Sequence, residues 1–453
     1  MDETIAAIAT PLGMGSLSVV RMSGKMALPV ADQVFRGHKG GKPSKYRTHT
    51  LHHGLVGEGR DVIEEVLLAV MRAPHSYTME DVVEFSCHGG LVSAKRLLDL
   101  LLSKGVRLAH PGEFTRRAFL NGRIDLTQAE AVMDVISAQT EGAHTAAVAQ
   151  LQGHLYRKIE QVYEHLTNVL SHVEAHVDFP DEGLTPDTRE TVISHLRDAI
   201  EFEQQLSRTA RDGHVLREGV RTVIVGKPNV GKSSLLNALL RHDRAIVSPI
   251  PGTTRDTIEE VLNIEGLPLR IVDTAGFRDA EDPVEREGVL RTRAQLLGAE
   301  LVLLVLDSSK RLEKVDRDLL ALCKEKPLIV VLNKRDQGQI IDSQYLRDMT
   351  TVSASMKNGE GLDRLRETIS SHLWQGRSRE SFREIFVNTR HHEALQRSSK
   401  ALQQAMDALK AGKSLEYVAA DLRQALHSLG EVNGRSVTED VLDRIFSNFC
   451  VGK

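Results

Sequence analysis

Apolar and polar positions alternate along the first part of the chain in stretches typical of strands. Strands are predicted over Ile5–Ala9, Leu17–Arg21, Val66–Met71 and Asp81–Ser86. A basic, glycine-rich loop separates the second strand from the third, and a helical pattern runs from Leu91 to Lys104. This mixture predicts an α+β domain over residues 1–118.

From Phe119 the apolar period becomes helical. Apolar residues recur at three- and four-residue steps from Leu155 to Val173, which predicts a long amphipathic helix ending near Asp178. A helix over Leu126–Gln152, with a weak point at Gly142, precedes it, and a helix from Asp187 to Arg211 follows. Residues 119–215 are therefore predicted to be the first part of a helical domain.

Residues 216–376 alternate strands with helices. Continuous apolar runs, expected of a parallel sheet covered on both faces, are Thr222–Val225, Leu269–Val272, Leu301–Leu306 and Leu328–Leu332. Helices are predicted again over Arg390–Lys410, Leu415–Leu429 and Thr438–Phe446. The simplest interpretation is an α/β domain inserted into one helical domain, with residues 377–453 as its second part; two separate helical modules are the alternative.

Composition narrows the class of protein only slightly. The 453 residues carry a net charge of −4, so any RNA binding must come from a local patch. The N-terminus lacks a signal-peptide pattern and no run is long enough to span a membrane, which predicts a cytoplasmic protein without membrane contacts. Three widely spaced cysteines suggest no disulfide framework, and Cys87 and Cys323 are interpreted as structural.

One glycine loop carries the strongest chemical signal. Gly226–Ser233 fits G-x-x-x-x-G-K-[ST] between a predicted strand and a predicted helix, the setting of a phosphate-binding loop. Backbone N–H groups and the helix N-terminus would hold phosphate oxygens. Lys232 is expected to meet the β- and γ-phosphates, and Ser233 to ligate Mg²⁺.

Three later segments select the nucleotide. Asp273–Gly276 ends a strand, where its carboxylate can hold Mg²⁺ through water and its glycine can meet the γ-phosphate. In Asn333–Asp336, the Asp336 carboxylate matches N1–H and the amine of guanine, whereas adenine presents an acceptor at N1. Ser353–Ser355 supports the base edge. The four motifs together predict GTP binding.

The segment between the first two motifs is a predicted switch, with Thr254 as the second Mg²⁺ ligand. Phe277 stands where Ras-like enzymes place the glutamine that orients water, so another group must do this. The residues alone leave several carboxylates open: Asp279, Glu281, Asp282, Glu285 and Glu287. Arg255 is a candidate arginine finger.

The predicted GTP contacts are drawn from these segments. They are Asn229, Val230, Gly231, Lys232, Ser233, Ser234, Ser248, Pro249, Ile250, Pro251, Gly252, Thr253, Thr254, Asp273, Thr274, Ala275, Gly276, Asn333, Lys334, Asp336, Ser353, Ala354 and Ser355.

Two further tracts carry a family resemblance that extends over essentially the whole chain. Pro111–Ala131 and the terminal Phe449–Lys453 resemble the MnmE (TrmE) family of tRNA modification GTPases. The resemblance implies a multidomain protein with an α+β folate-binding domain, an all-α helical domain and an inserted Ras-like α/β P-loop GTPase domain. One turn departs from the family pattern, because Met14 lies where the family usually has an arginine.

For the N-terminal domain, the resemblance implies dimerisation and binding of 5-formyl- or 5,10-methylene-tetrahydrofolate. The matching folate contacts are Arg21, Glu84, Arg123 and Lys453. Arginine and lysine suit the folate carboxylates, and Glu84 can accept from the pterin. Cys450 lies in the terminal motif as a candidate nucleophile or acid–base group; a free thiol near a flexible tail is the alternative.

For the GTPase domain, the resemblance implies K⁺ in place of an arginine finger. The matching K⁺ positions are Asn229, Ser248, Ile250 and Thr253, and the residue that orients water falls on Glu285. The family acts on the tRNA wobble uridine as a homodimer with a flavin-dependent, MnmG-like FAD protein. An Era-type ribosome-assembly switch and a pure scaffold gated by nucleotide are the alternatives, although Gly430–Gly434 is a poor match for an RNA-binding G-X-X-G loop.

Overall fold

A computed structural model describes residues 3–178, 186–243, 260–272, 296–341, 343–374 and 386–453 of the chain. The chain forms two compact units. The first comprises residues 1–133, 151–201 and 394–453, and the second comprises residues 134–150 and 202–393. The domain boundaries predicted from the sequence stay a prediction.

The described strands and helices are bounded as follows. The strands are β1 (Ile5–Ile8), β2 (Leu17–Ser23), β3 (Phe35–Gly37), β4 (Thr50–Glu58), β5 (Asp61–Met71), β6 (Val82–His88), β7 (Arg107–Leu108), β8 (Val220–Val225), β9 (Glu260–Ile264), β10 (Leu267–Ile271), β11 (Leu301–Asp307), β12 (Leu328–Asn333) and β13 (Thr350–Ser353). The helices are α1 (Ala27–Val34), α2 (Leu91–Ser103), α3 (Glu113–Leu120), α4 (Leu126–Ser137), α5 (Glu141–Leu151), α6 (His154–Asp178), α7 (Pro186–Arg208), α8 (Ala210–Glu218), α9 (Lys232–Asp243), α10 (Lys314–Cys323), α11 (Leu362–Trp374), α12 (Thr389–Lys410), α13 (Leu415–Asn433) and α14 (Glu439–Phe446).

The first unit contains a seven-stranded sheet in the order β3-β4-β5-β6-β2-β1-β7. Its neighbours are antiparallel except β1 and β7, which are parallel. Helices α1 and α2 cover one face, because Leu97 and Leu101 of α2 recur at helical spacing and are fully buried against strand residues such as Phe85 and Leu68. The opposite face carries the polar side chains considered below.

Helices α6 and α13 pack against each other in the same unit. Leu155, Ile159 and Leu166 form the buried stripe of α6, as their three- and four-residue spacing predicts. Ion pairs at both ends of this pair give its direction. Arg435 bonds to Glu160, and Arg423 lies 2.6 Å from Glu174, so the two helices run antiparallel.

The second unit contains a six-stranded sheet in the order β13-β12-β11-β8-β10-β9, parallel except for the β9–β10 hairpin. Helices α9 and α11 cover one face and α10 the other. Every residue of β11 is buried, which explains its unbroken apolar run. The carboxyl ends of β8, β12 and β13 therefore meet at one edge, where ligands bind in sheets of this kind.

The predicted fold class is confirmed, but two helix predictions are wrong in detail. The predicted helix Leu126–Gln152 is broken between α4 and α5, because Thr140 accepts a bond from Ala143 N at 3.2 Å and begins a new helix. Gly142 lies in the first turn of α5 and is buried, so it does not break the helix. The predicted helix Asp187–Arg211 ends at Arg208, where α8 follows.

The hydrophobic pattern missed the five strands β3, β4, β7, β9 and β13, of which β4 and β9 show the reason most clearly. Strand β4 interleaves histidines and glycines with its apolar residues, and its backbone is paired on both sides. Strand β9 is short and turns into β10 through Glu265 and Gly266, both at positive φ, the backbone of a tight hairpin. Cross-strand pairing rather than composition decides such strands.

Two further sequence predictions concern the cysteines and the membrane. Cys87 and Cys323 are buried free thiols, and burial raises the pKa of Cys323 to about 11. No helix within the described ranges combines the length and apolar character needed to cross a membrane.

Candidate functional sites

The glycine loop of residues 226–233 joins the end of β8 to the start of α9, as predicted. Its conformation requires glycine at two positions. A Cβ on Gly226 would lie 2.5 Å from the carbonyl oxygen of Val305, and one on Gly231, at φ +102°, would lie 2.1 Å from Asn333 Nδ2. Asn229 also has positive φ, which asparagine tolerates. The loop therefore keeps its backbone close to the neighbouring strands.

Lys232 folds back over this loop. Its Nζ donates to the carbonyl oxygens of Gly226 at 2.9 Å and Lys227 at 2.8 Å. Burial lowers the pKa of this ammonium. The side chain is thus held beside the backbone that would surround the phosphates, while Ser233 and Ser234 are exposed at the helix start.

A second lysine of the loop, Lys227, forms ion pairs with two carboxylates. Lys227 Nζ lies 2.7 Å from Asp316 and 2.9 Å from Glu313, at the start of α10. These contacts tie the loop to the helix on the neighbouring face of the sheet. Lys227 is therefore occupied by carboxylates, whereas Lys232 bonds only to backbone carbonyls among the contacts described for it.

The segment Asn333–Asp336, which is predicted to select the base, reaches the glycine loop through Asn333. This buried amide donates from Nδ2 to the Val230 carbonyl at 2.8 Å and accepts from Met356 N at 3.1 Å. Arg335 N also donates to the Ala354 carbonyl at 3.2 Å. Three segments far apart in the chain are thereby joined at the carboxyl edge of the sheet.

The Asp336 carboxylate is positioned by the third segment. The buried Ser355 hydroxyl donates to Asp336 Oδ1 at 2.7 Å, and Ser353 and Ala354 precede it at the end of β13. The exposed carboxylate retains free acceptor capacity for a base. The contact of Asp336 with guanine stays a prediction.

Sequence reasoning missed Asp307. This carboxylate ends β11 and lies 2.7 Å from Lys334 Nζ. Burial acts against its charge, but the bonds from Lys334 and Ser309 prevail and lower its pKa. Its position at the end of a buried parallel strand, beside those of β8 and β12, is the signal that would have identified it.

Part of the predicted nucleotide site lies outside the described residues. This part comprises Ser248, Pro249, Ile250, Pro251, Gly252, Thr253, Thr254, Asp273, Thr274, Ala275, Gly276 and Glu285. Their assignments stay predictions.

The predicted folate contacts come together in the first unit. Arg21 and Glu84 are cross-strand partners on β2 and β6, with Nε and Oε1 2.6 Å apart. Arg21 also donates to the Gly452 carbonyl at 3.3 Å. Both side chains are largely buried although they lie on the face opposite α1 and α2.

An aromatic ring that the sequence did not single out completes this cluster. The Arg123 guanidinium lies 4.7 Å from the centre of the Tyr77 ring and donates to the Tyr77 carbonyl at 3.2 Å. The Arg21 guanidinium lies 5.7 Å from the same ring and 5.6 Å from that of Phe114. Two guanidinium groups thus lie against the Tyr77 ring, and one of them, Arg21, is paired with Glu84.

The C-terminal motif docks onto the start of α3. Phe114 N donates to the Lys453 carbonyl at 3.1 Å, and Gly112 N donates to the Cys450 carbonyl at 3.4 Å. Gly452, at φ +98°, has no space for a side chain because a Cβ would lie 2.4 Å from the Ile8 carbonyl. Burial, helped by the Arg21 charge, lowers the pKa of the Lys453 ammonium.

Models of known protein families match nearly the whole chain. Residues 4–123 match the GTP-binding protein TrmE N-terminus, and residues 126–450 match the MnmE helical domain. The chain belongs to the MnmE family.

Full-length relatives agree with this. The tRNA modification GTPase MnmE of Clostridioides difficile is 46% identical over 457 residues, and that of Chloroflexus aurantiacus is 46% identical over 458. The Bacillus subtilis protein of that name is 43% identical over 458 residues. In all three comparisons the match covers 100% of each chain.

MnmE membership decides between the alternatives left open by the sequence. The chain is a GTP hydrolase of a tRNA modification family, which excludes the pure scaffold. The Era-type switch does not account for the matched N-terminal and helical parts.

Proposed function

We propose that the chain is a K⁺-stimulated, Mg²⁺-dependent GTPase that modifies C5 of the tRNA wobble uridine U34 in the cytoplasm. It acts as a homodimer with an MnmG-like FAD protein, in a heterotetramer or larger complex. The products carry carboxymethylaminomethyl or aminomethyl groups, with nitrogen from glycine or ammonium. The observation that carries this proposal is the cluster of Arg21, Glu84, Arg123 and Tyr77 beside the docked C-terminal motif.

This cluster fits a folate. Arg123 and Lys453 offer positive charge for the folate carboxylates, and Glu84 offers acceptor oxygens for the pterin amino and ring N–H groups. The Tyr77 ring adds an aromatic surface for a flat heterocycle. A 5-formyl- or 5,10-methylene-tetrahydrofolate held here would supply the one-carbon unit. Cys450, in the same docked motif, is the proposed nucleophile or acid–base group.

The open face of the sheet supports the homodimer. Through the strand register, Arg21 and Glu84 share a row with Leu51, which is 68% exposed. In the next row on the same face, Leu67 is 44% exposed. Exposed aliphatic side chains on one sheet face are typical of an interaction surface. A second copy of the chain covering this face would enclose the folate cluster.

The metal and catalytic assignments of the GTPase complete the proposal. Ser233 and Thr254 ligate Mg²⁺, and Asn229 is the described member of the K⁺ set with Ser248, Ile250 and Thr253. Carbonyl and amide oxygens suit such hard cations. Glu285 is the proposed residue that orients the attacking water when two GTPase domains associate. K⁺ then stabilises the charge that an arginine finger would otherwise meet.

Replacing K⁺ by Na⁺ at equal ionic strength is expected to lower kcat for GTP at least about tenfold. Na⁺ is smaller and does not match ligands spaced for K⁺. Steady-state phosphate release with saturating GTP and constant Mg²⁺ measures this. Rb⁺, close to K⁺ in size, is the matched control and should sustain turnover. Equal rates in the K⁺ and Na⁺ salts would refute the K⁺ assignment.

In a strain lacking the gene, wobble uridines are expected to lose the C5 modification, and the wild-type gene should restore it. Arg21→Gln should fail to restore the modification although the purified variant still hydrolyses GTP, because the altered side chain lies in the folate cluster. Mass spectrometry of tRNA nucleosides measures this, with Arg36→Gln, an exposed arginine of β3, as the control. Unchanged wobble uridines in the deletion strain would contradict the proposed function.

A further inference from the structure

Three potential metal ligands lie together at the β3 edge of the N-terminal sheet. They are His38, His53 and Glu65, all exposed, and neither the nucleotide site nor the folate cluster uses them. Their ligand atoms, a ring nitrogen of each histidine and a carboxylate oxygen, all lie within 4.8 Å of one another.

Backbone pairing sets their placement. His38 N donates to the His53 carbonyl at 3.2 Å, which continues the pairing of β3 with β4 by one residue. His53 faces Leu67 across β4 and β5, so Glu65 is its diagonal neighbour two residues along. Residues in these relations project from the same face within reach of long side chains. The three ligands therefore come from three consecutive, hydrogen-bonded segments rather than from one mobile loop.

The side chains converge on one oxygen. Glu65 Oε1 lies 2.8 Å from His53 Nε2 and 3.4 Å from His38 Nε2, and the two imidazole rings are 4.6 Å apart. Zinc bonds of 2.0–2.2 Å in a tetrahedron place neighbouring ligand atoms about 3.3 Å apart. The distances of 2.8 and 3.4 Å lie on either side of this value, so small side-chain rotations suffice to surround an ion.

We propose that His38, His53 and Glu65 form a site for a divalent transition metal, with Zn²⁺ as its representative. Two imidazoles and one carboxylate are a donor set for Zn²⁺, Ni²⁺ or Cu²⁺ rather than for Mg²⁺ or Ca²⁺, which prefer oxygen ligands alone. The side chains are about half exposed (50%, 55% and 50%), so an ion enters from solvent and a water completes its coordination.

Metal at this site joins edge strand β3 to β4 and β5. Without metal, Glu65 accepts from the imidazoles; on binding, the ion takes the place of those protons on the ring nitrogens. All three ligands belong to one chain, so metal binding needs no residue of a second copy and no folate, although His53 shares the open sheet face with Leu67.

Zn²⁺ titration of the full-length, chelator-treated and nucleotide-free protein tests the site. Isothermal titration calorimetry with Mg²⁺ in excess should show one Zn²⁺ per chain. His53→Ala and Glu65→Gln should each weaken this binding by more than the roughly 10- to 100-fold typical of losing an outer-shell partner. The Tm of the wild-type protein should rise with Zn²⁺, and that of the two variants should not.

His75→Ala, which removes an exposed histidine elsewhere in the same unit, should keep wild-type affinity. Because the substituted side chains are exposed, GTP turnover should be unchanged in every variant, which checks that each has folded. Absence of stoichiometric Zn²⁺ binding by the wild-type protein would overturn the proposal. So would equal affinity in the wild-type protein, His53→Ala and Glu65→Gln, since the metal would then lie elsewhere.

Discussion

Asp336→Asn is expected to weaken GTP binding by roughly 10⁴-fold and to make xanthosine triphosphate the preferred nucleotide. The carboxylate is predicted to accept from N1–H and the amine of guanine, whereas an asparagine amide would direct a donor at that amine. Xanthine carries a carbonyl at this position, so the same amide pairs with it. Competition binding with both nucleotides measures the exchange.

Two control variants test whether the effect belongs to the Asp336 carboxylate itself. Ser355→Ala removes the hydroxyl that donates to Asp336 at 2.7 Å, and it should weaken GTP binding only several-fold while keeping guanine preference. Asp318→Asn makes the same chemical change at an exposed position of α10 and should have no effect. If Asp336→Asn bound GTP with wild-type affinity and ignored xanthosine triphosphate, the assignment of this carboxylate to the base would be wrong.

Lys232→Ala is expected to lower kcat for GTP hydrolysis by at least about 10²-fold, the scale of losing one donor to developing transition-state charge. In the structure this ammonium already lies against the Gly226 and Lys227 carbonyls, so little reorganisation separates it from phosphate at the same loop. Single-turnover hydrolysis at saturating GTP isolates the chemical step from weakened binding.

Lys227→Ala is the matched control, because it removes the same charge from the same loop. Its ammonium is held by Glu313 and Asp316, so the substitution should lower thermal stability and leave kcat within about tenfold of the wild-type value. Equal losses of kcat in the two variants would mean that both lysines act only by shaping the loop.

These two lysines differ in what the sequence alone can predict about them and what only the structure shows. The motif singles out Lys232 because the G-x-x-x-x-G-K-[ST] spacing is local: glycine at 231 is required by a positive φ within the loop itself. The sequence says nothing comparable about Lys227. Its carboxylate partners lie 86 and 89 residues away and are placed by the packing of α10.

In the folate cluster, too, the sequence does not show which side chains are neighbours. Arg21 and Glu84 are 63 residues apart, and only the register of β2 against β6 makes them partners. The family resemblance identifies Arg21 and Glu84 as folate contacts, but it does not show which residues lie next to them. Tyr77 was missed because a single aromatic residue in a loop has no local signature.

By itself, the sequence determined the fold class, most strand and helix positions and the nucleotide. Each of these depends on residues that are close together in the chain: the spacing of apolar residues, the spacing of glycines and the motif that recognises the base. The tertiary structure alone decided what lies beside what. Asn333 bonds to the Val230 carbonyl at 2.8 Å, and His38, His53 and Glu65 converge on one oxygen. Such contacts depend on strand order and register, which arise from burying whole faces of a sheet and leave no pattern in any one stretch of chain.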